Sequence, residues 1–191
     1  DPVLIPPAYG LRGVALETYT GEGPVSYWNN YVAVTQMHGR GSFSDPRLGI
    51  EIIAQPDLVT PKLPALRDYQ LTLEAPAPPP GSFDRAAADR GRHVFNGPAR
   101  CATCHIPPTF TDAGLALHAP AETGMDPVRA TRGANAGYRS TPLRGAWHRA
   151  PYFHDGSAPT LAAVVEHYNG VLSLSLTAQQ KADLVEYLKS L

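Results

Sequence analysis

The chain has 191 residues, and its 16 lysines and arginines against 17 acidic residues give a formal net charge of −1. This near-neutral balance argues against nucleic acid and against an anionic membrane surface as partners. The apolar runs fall short of the roughly 18 residues that a membrane-spanning helix needs, so no membrane span is predicted. Twenty prolines and 17 glycines predict long ordered loops and little regular structure.

The first 80 residues are predicted to form a helical N-terminal region. Residues 27–37 match a helix that Pro24 and Ser26 would start and Gly39 would end, and Pro64 would open a shorter helix over 65–73. A stiff spacer follows at 75–81, where the sequence reads Ala-Pro-Ala-Pro-Pro-Pro-Gly. We therefore predict a region over 1–80 and a separate domain over 81–191.

Helical patterns dominate what we predict after the spacer. Ser82 is predicted to cap a helix that reaches about Asn96. Residues 106–142 have no clear period and are predicted as loops. Thr160 is predicted to cap a second helix, and the pair Thr177 and Gln180 matches the capping box of a last one. The apolar positions of the second helix recur at i, i+3, i+4 and i+7 and are Leu161, Val164, Val165 and Tyr168.

A weak internal repeat links the two parts of the chain. The tripeptide Leu-Arg-Gly occurs at 11–13 and again at 143–145, and a Tyr, a Gly and a helical pattern follow each copy. A true duplication would make residues 1–60 the back half of a first domain.

Residues 101–105 read Cys-Ala-Thr-Cys-His, the attachment pattern of a c-type haem. Cys101 and Cys104 are the only cysteines, and their spacing lets each bond one vinyl group of the same porphyrin. His105 then lies where its imidazole can bind the iron as the proximal ligand. A redox Cys-x-x-Cys pair is usually found in a βαβ unit, which the sequence around 101–104 does not show. A zinc site needs a second pair of ligands much closer in sequence than His148 and His154.

The motif thus predicts one covalent haem c, which also supplies a core around which loops can pack. Bacteria attach this haem outside the cytoplasm, so we predict an exported, periplasmic protein. No leader is visible at Asp1, which favours a mature form.

The domain after the spacer also carries a family resemblance. Three segments, 81–84 (Gly-Ser-Phe-Asp), 138–145 (Tyr-Arg-Ser-Thr-Pro-Leu-Arg-Gly) and 150–157 (Ala-Pro-Tyr-Phe-His-Asp-Gly-Ser), resemble the C-terminal domain of bacterial di-haem cytochrome c peroxidases and their MauG-like relatives. The resemblance implies a mostly α, cytochrome c-like helical domain with long ordered loops around a covalent haem. In that family one domain holds a peroxidatic haem and the other an electron-relay haem, and the matched region is the relay domain.

The second axial ligand of the iron has two candidates. The resemblance points to Tyr168, because the family places a Met or, in MauG, a Tyr at this position. A thioether favours ferrous iron, whereas a phenolate lowers the potential. Tyr168 also suits a core tyrosine, and Met125 is the alternative metal ligand. Three further histidines are more typical of hydrogen-bonded loop residues, namely His118, His148 and His154.

Further roles around the haem are implied less directly. The Arg144 guanidinium suits a haem propionate, with a surface ion pair as the alternative. Trp147 would cover a haem face or edge, or fill the core. The family also binds a calcium between its domains, and the matching loop, 149–151 (Arg-Ala-Pro), would contribute backbone carbonyls.

The chain departs from the family in its first part. The family's Trp-Asp-Gly-Arg and Glu-Met-Gly segments have only distant counterparts at 19–22 and 36–39, and a first Cys-x-x-Cys-His is absent from the sequence. The sequence therefore favours electron transfer with a redox partner such as a small cytochrome or a cupredoxin. The alternative is a subunit or fragment of a di-haem peroxidase or MauG-like oxidase that acts on peroxide, its other haem lying on a second chain or segment. A haem sensor with a displaceable sixth ligand is the third hypothesis.

Overall fold

The computed structural model describes residues 8–191, so the first seven residues of the predicted N-terminal region lie outside it. The prediction of a mostly α-helical chain is confirmed. The helices are α1 (Val25–Tyr31), α2 (Leu63–Thr72), α3 (Arg85–Asn96), α4 (Pro120–Thr123), α5 (Val128–Arg132), α6 (Leu161–Val171) and α7 (Ala178–Lys189). The strands β1 (Phe43–Asp45) and β2 (Ile50–Ile52) pair antiparallel, with Ser44 opposite Glu51.

Side-chain caps fix where the long helices begin. The Thr160 side chain accepts a hydrogen bond from the Ala163 amide at the start of α6, and Thr177 and Gln180 form the predicted capping box of α7. The predicted cap of α3 is wrong: Asp84, not Ser82, accepts the bond from the Ala87 amide. Both residue types cap helices well, so the sequence alone could not decide between two candidates so close together.

The helices α3 and α7 cross in close contact. A Cβ atom on Gly91 would overlap the backbone carbonyl of Asp183, so only glycine allows this approach. Beside the crossing, the Arg90 guanidinium donates two hydrogen bonds, of 2.9 and 2.7 Å, to the buried Asp183 carboxylate. The crossing therefore fixes the direction in which the chain leaves α3, toward residues 101–105.

The core of the second part lies between α3, α6 and α7. Its centre is Phe95, whose side chain is fully buried. The Phe95 ring centroid lies 5.2 Å from that of Tyr187, 6.2 Å from that of Phe110 and 6.5 Å from that of His105. Burial of one such side chain is worth about 1.5–3 kcal/mol, and here it also holds the His105 segment against the helices.

The first part of the described chain contains the helices α1 and α2 and the hairpin of β1 and β2. The predicted helix over 27–37 begins earlier, and after Tyr31 it widens into a π-helical turn, Val32–Gln36. The second predicted helix lies within one to two residues of α2. The hairpin of β1 and β2 escapes prediction, because each strand has three residues and too few alternations to give a pattern.

The loop prediction for 106–142 is partly wrong. Two short helices, α4 and α5, interrupt it, and the remainder is irregular. Helices of four and five residues are too short to show a 3.6-residue period. Within the described chain, no helix combines the length and the apolar character that a membrane crossing requires.

The two parts of the chain are joined by hydrogen bonds. The Arg139 amide donates to the Tyr19 carbonyl at 2.8 Å, and the Trp147 indole N–H donates to the Pro76 carbonyl at 3.1 Å. The proline-rich spacer is therefore attached to the second part rather than standing clear of it.

The weak repeat has a matching backbone conformation. Gly13 and Gly145 have φ angles of 79° and 75°, and Gly23 and Gly156 have φ angles of 70° and 74°. The Val14 amide donates to the Leu11 carbonyl at 3.0 Å, and the Ala146 amide donates to the Leu143 carbonyl at 2.9 Å. The two sequence copies thus fold into the same type of turn.

Candidate functional site

The Cys-x-x-Cys-His segment lies in a short 3-10 turn, Cys101–Thr103, just after α3. Arg100 precedes it in the left-handed conformation, at φ 53°. Burial raises the pKa of the Cys101 thiol to about 12, and burial also raises the pKa of Cys104. Redox-active Cys-x-x-Cys pairs have a lowered thiol pKa, so these thiols do not suit disulfide exchange.

The His105 imidazole is held in one orientation. Its Nδ1 atom donates to the backbone carbonyl of Phe110 at 3.0 Å, which leaves the lone pair of Nε2 for a metal. Burial lowers the pKa of His105, which favours the neutral ring that metal ions bind. A carbonyl acceptor on the second ring nitrogen is the usual outer-shell partner of a histidine ligand.

Tyr168 lies on α6 close to the two cysteines. Burial raises the pKa of its hydroxyl to about 12, and the neighbouring charges of Cys104 and Cys101 add to the rise. The ring of Phe153 packs edge-on against it with centroids 5.9 Å apart. The structure therefore brings Tyr168 to the attachment motif, although more than sixty residues of sequence separate it from His105.

Met125 lies on the loop after α4, which packs against the end of α6. The His167 Nε2 atom donates to the Thr123 carbonyl at 2.8 Å, and a Cβ atom on Gly124 would come within 2.6 Å of Val171. The partly buried Met125 thus lies near the C-terminal end of the helix that carries Tyr168. The structure thus places both candidate ligands around α6, Tyr168 within it and Met125 on the loop packed against its end.

Arg144 and Trp147 lie on the two sides of the turn at 145. The exposed Arg144 donates from Nε to the Pro108 carbonyl at 3.0 Å, and its guanidinium lies 5.5 Å from the centre of the Phe110 ring. It therefore reaches the loop that follows the attachment motif. Trp147 instead contacts the spacer, where its indole N–H donates to the Pro76 carbonyl. The roles predicted for Arg144 and Trp147 at a haem stay predictions.

The structure also contains a polar network that no sequence pattern predicts. Both ring nitrogens of the buried His118 bond carboxylates, Asp112 at 3.0 Å and Glu122 at 2.9 Å. Ser140 joins the network by hydrogen bonds to Asp112 and, at 3.3 Å, to the Cys104 carbonyl. The Sγ atom of Cys104 and ligand atoms of Asp112 and His118 all lie within 4.8 Å of one another. These residues come from the attachment motif, from α4 and from the irregular segments around it, so no spacing rule connects them.

His148 and His154, the other two loop histidines considered from the sequence, are each hydrogen-bonded to a tyrosine hydroxyl. His148 bonds the Tyr9 hydroxyl at 2.9 Å. His154 is buried, bonds the Tyr138 hydroxyl at 3.2 Å and stacks on its ring. Their partners match the expectation of loop histidines with structural hydrogen bonds.

The Arg149 side chain, in the loop that the resemblance links to calcium, bonds a neighbouring segment of the chain. The Arg149 Nη2 atom donates to the backbone carbonyls of Pro142 and Arg144 at 2.6 and 3.0 Å. These carbonyls are not those of 149–151, so the calcium site that the resemblance implies stays a prediction.

A haem fits the remaining arrangement. Cys101 packs against the apolar core that contains Phe95 and Phe110, His105 has a fixed tautomer beside Phe110, and the partly buried Tyr168 feels the charges of both cysteines. Apolar walls with a few polar groups are what a large planar cofactor needs.

Comparisons with known proteins agree with this interpretation of the site. A family model described as RoxA-like, cytochrome c-like, matches residues 137–169. The chain is 33% identical over 156 residues to the methylamine utilization protein MauG of Methylorubrum extorquens, a match that covers 66% of this chain and 42% of that protein. It is 28% identical over 155 residues to MauG of Methylophilus methylotrophus, with coverage of 66% and 45%. The chain thus spans less than half the length of these curated relatives.

A solved structure shares the fold. The crystal structure of a MauG-like protein associated with microbial copper homeostasis matches 75% of this chain and 62% of its own, with a TM-score of 0.54 and 22% sequence identity. The fold is therefore cytochrome c-like. Together with the attachment motif and the segments around 138–157, these matches support a member of the MauG/di-haem cytochrome c peroxidase family.

Proposed function

We propose that this chain binds one haem c through thioether bonds from Cys101 and Cys104, with His105 as the proximal ligand, and transfers electrons. The observation that carries the proposal is the hydrogen bond from His105 Nδ1 to the Phe110 carbonyl, because it sets the tautomer and direction of the imidazole. The bound haem would supply one-electron exchange, and the protein would supply its orientation and surroundings.

Tyr168 is the proposed ligand on the other side of the iron. Its support is the burial of the hydroxyl beside both thiols, which raises its pKa to about 12. A free phenol with this pKa stays protonated at neutral pH, so it would have to release its proton to water when its oxygen binds the iron. Phenolate ligation would give a lower potential than the thioether of Met125, the alternative ligand.

The surroundings of the site suit an electron-transfer role. Phe95 and Phe110 would shield the proximal side from water, and Arg144, above the Phe110 ring, would hold a propionate. We place this domain at 81–191 and the preceding region at 1–80. The proposed location is the periplasm, and the proposed partner is a small cytochrome or a cupredoxin.

The attachment proposal is tested on the purified chain made in a host that attaches c-type haem. We expect haem that stays with the polypeptide on a denaturing gel, in a ratio of one iron per chain. Cys101→Ala should leave a single thioether with a shifted alkaline pyridine spectrum, and a double Cys101→Ala, Cys104→Ala variant should lose covalent haem. A chain that retains its thiols yet never holds haem would contradict the proposal.

The ligand proposal is tested by spectroscopy of matched variants. Ferric Tyr168→Phe should lose a phenolate charge-transfer band and change its EPR signal, whereas Met125→Leu should leave both unchanged. The reverse outcome, with loss of a Met–iron near-infrared band in Met125→Leu, would assign the ligand to Met125.

A second candidate function is peroxide chemistry as part of a di-haem peroxidase or MauG-like oxidase. The matched turns at Gly13 and Gly145, with nearly equal φ angles, favour it because they support a duplicated domain. The first domain's haem would then lie on another segment or chain. Peroxide-dependent oxidation of a reduced cytochrome that disappears in the double Cys101→Ala, Cys104→Ala variant would support this function, and the absence of turnover with every donor would rule it out.

A further inference from the structure

Two phenylalanines with a left-handed backbone lie beside the two proposed iron ligands. Phe110 has a φ angle of 53° and Phe153 a φ angle of 68°, and a bulky residue in this region is a genuine outlier. The Phe110 carbonyl accepts the hydrogen bond from His105, and the Phe153 ring packs against Tyr168. Strained residues persist only where their surroundings over-determine them, and they cluster at functional sites. The conformation of Phe153 therefore points to a role at Tyr168.

Both neighbours of Phe153 are anchored in the fold. Tyr152 forms a β-bridge with Ala158, and its amide donates to the Ala158 carbonyl at 2.7 Å. His154 is buried and stacks on the Tyr138 ring, with centroids 4.4 Å apart. Because both neighbours are fixed, the sign of φ at residue 153 decides toward which side its Cα–Cβ bond points. An ordinary negative φ would turn the Phe153 ring away from α6.

The Phe153 ring completes a cluster of three rings on α6. Its centroid lies 4.8 Å from that of His167 and 5.9 Å from that of Tyr168, and the His167 and Tyr168 rings lie 5.1 Å apart at 87°. The His167 ring is itself held by its hydrogen bond to the Thr123 carbonyl. The place of a tyrosine hydroxyl depends on two side-chain torsions, and rings packed edge-on against it restrict both. The cluster therefore limits the directions that the Tyr168 hydroxyl can take.

We infer that Phe153 is a positioning residue, whose left-handed backbone holds its ring against Tyr168 and thereby directs the phenol toward the iron. The inference rests on the proposed ligation by Tyr168. Phe153 acts through Tyr168 and is not itself a ligand. A ligand that is already held in its bound orientation loses less conformational freedom when it binds, so the Phe153 ring favours phenolate ligation over exchange of this ligand.

The test compares variants of the haem-loaded chain by spectroscopy and by reduction potential. Phe153→Ala and Phe153→Gly both remove the ring. The ferric phenolate band should weaken in both, and the potential should rise toward that of Tyr168→Phe, because phenolate ligation is what lowers it. Phe153→Tyr retains an aromatic ring and should keep the parent's band and potential. The control Ala136→Gly, at an exposed residue with a φ angle of 50°, should leave both unchanged.

Thermal melts of the same variants separate the backbone strain from the ring. Glycine takes a positive φ angle without a steric cost, whereas alanine does not. Phe153→Gly should therefore melt about 2–4 °C above Phe153→Ala in a chain of this size. Equal midpoints would contradict the part of the inference that concerns the backbone. If neither variant retains haem, Phe153→Leu, which fills the space without a ring, is read by the same band and potential.

Failure of the inference and failure of the proposed function give different results. A band and a potential that change in Tyr168→Phe but not in Phe153→Ala, Phe153→Gly or Phe153→Leu would overturn the positioning role alone. If Tyr168→Phe itself leaves both unchanged, the ligand proposal and the positioning role are both wrong. Covalent haem, scored on a denaturing gel of the same samples, tests the attachment proposal independently of either.

Discussion

His118 shows how a single residue can make the stability of this chain depend on pH. Burial lowers the pKa of a histidine, but the hydrogen bonds to Glu122 and Asp112 outweigh it and raise the pKa of His118 above its ordinary value. A histidine whose pKa is raised on folding stabilises the protein below the unfolded pKa of about 6.5, and this contribution is lost as the pH rises through the folded pKa.

We therefore predict a pH-dependent cost for His118→Gln. Hydrogen bonds to charged groups are worth about 1.5–3 kcal/mol, so the free energy of unfolding should fall by about that amount near pH 5.5 and by clearly less near pH 9. Urea titrations at both pH values measure it, with the exposed His93→Gln in α3 as the control. An equal loss at both pH values would mean that His118 acts by packing alone.

At the residue scale, side-chain motifs are predictable and backbone partners are not. Cys101, Cys104 and His105 stand out because two cysteines and a histidine at this spacing are typical of few sites besides a c-type haem. The carbonyl that orients His105 belongs to Phe110, and every residue type has a carbonyl. The Arg149 side chain likewise bonds the backbone carbonyls of Pro142 and Arg144, partners that no residue type in the sequence indicates. A sequence pattern does not specify which atom of a loop residue is used.

At the scale of elements, the crossing of α3 and α7 depends on the absence of a Cβ atom at Gly91. Gly91→Ala should lower the free energy of unfolding by about 1–3 kcal/mol, because overpacking a tight contact costs this much. Gly170→Ala in α6 is the matched control, since a Cβ atom added there would have no atom within 4 Å. There the gain in helix propensity should stabilise the chain by about 0.5–1 kcal/mol. Equal effects of the two changes in urea titrations would refute the close-contact argument.

The capping box of α7 supports a second prediction at this scale. Thr177→Ala removes the acceptor for the Gln180 amide and should cost about 1 kcal/mol of unfolding free energy. Thr131→Ala is the comparison, because that hydroxyl bonds back to the Val128 carbonyl within α5 and caps nothing. If thermal melts show the same loss of stability for Thr177→Ala and Thr131→Ala, the capping box adds no more stability than an ordinary threonine hydroxyl.

Elements with a cap and a full apolar period are predictable from the sequence, and short ones are not. The helices α6 and α7 begin at the predicted caps, whereas α4, α5 and the two strands have too few residues to show a period. The predicted start of α3 is misplaced because Ser82 and Asp84 are both good caps. Length is therefore the property that separates the predicted elements from the others.

At the scale of the whole molecule, stability is unevenly distributed. The helices α1 and α2 contain no fully buried residue, whereas α3 and α7 contain much of the core. Regions with few buried contacts open more easily than the global unfolding reaction. Amides of α1 and α2 should thus exchange with solvent at a lower free energy of opening than those of α3 and α7. Native-state hydrogen exchange read by mass spectrometry measures this, and uniform protection would contradict it.

The position of Trp147 has a practical consequence. The chain has two tryptophans, and their indole N–H groups donate to the Glu22 carbonyl, from Trp28, and to the Pro76 carbonyl, from Trp147. A Trp28→Phe variant would leave one tryptophan, placed where the proline-rich spacer meets the second part of the chain. Its emission would then report detachment of the spacer separately from unfolding of the core, as an optical signal that the sequence already contains.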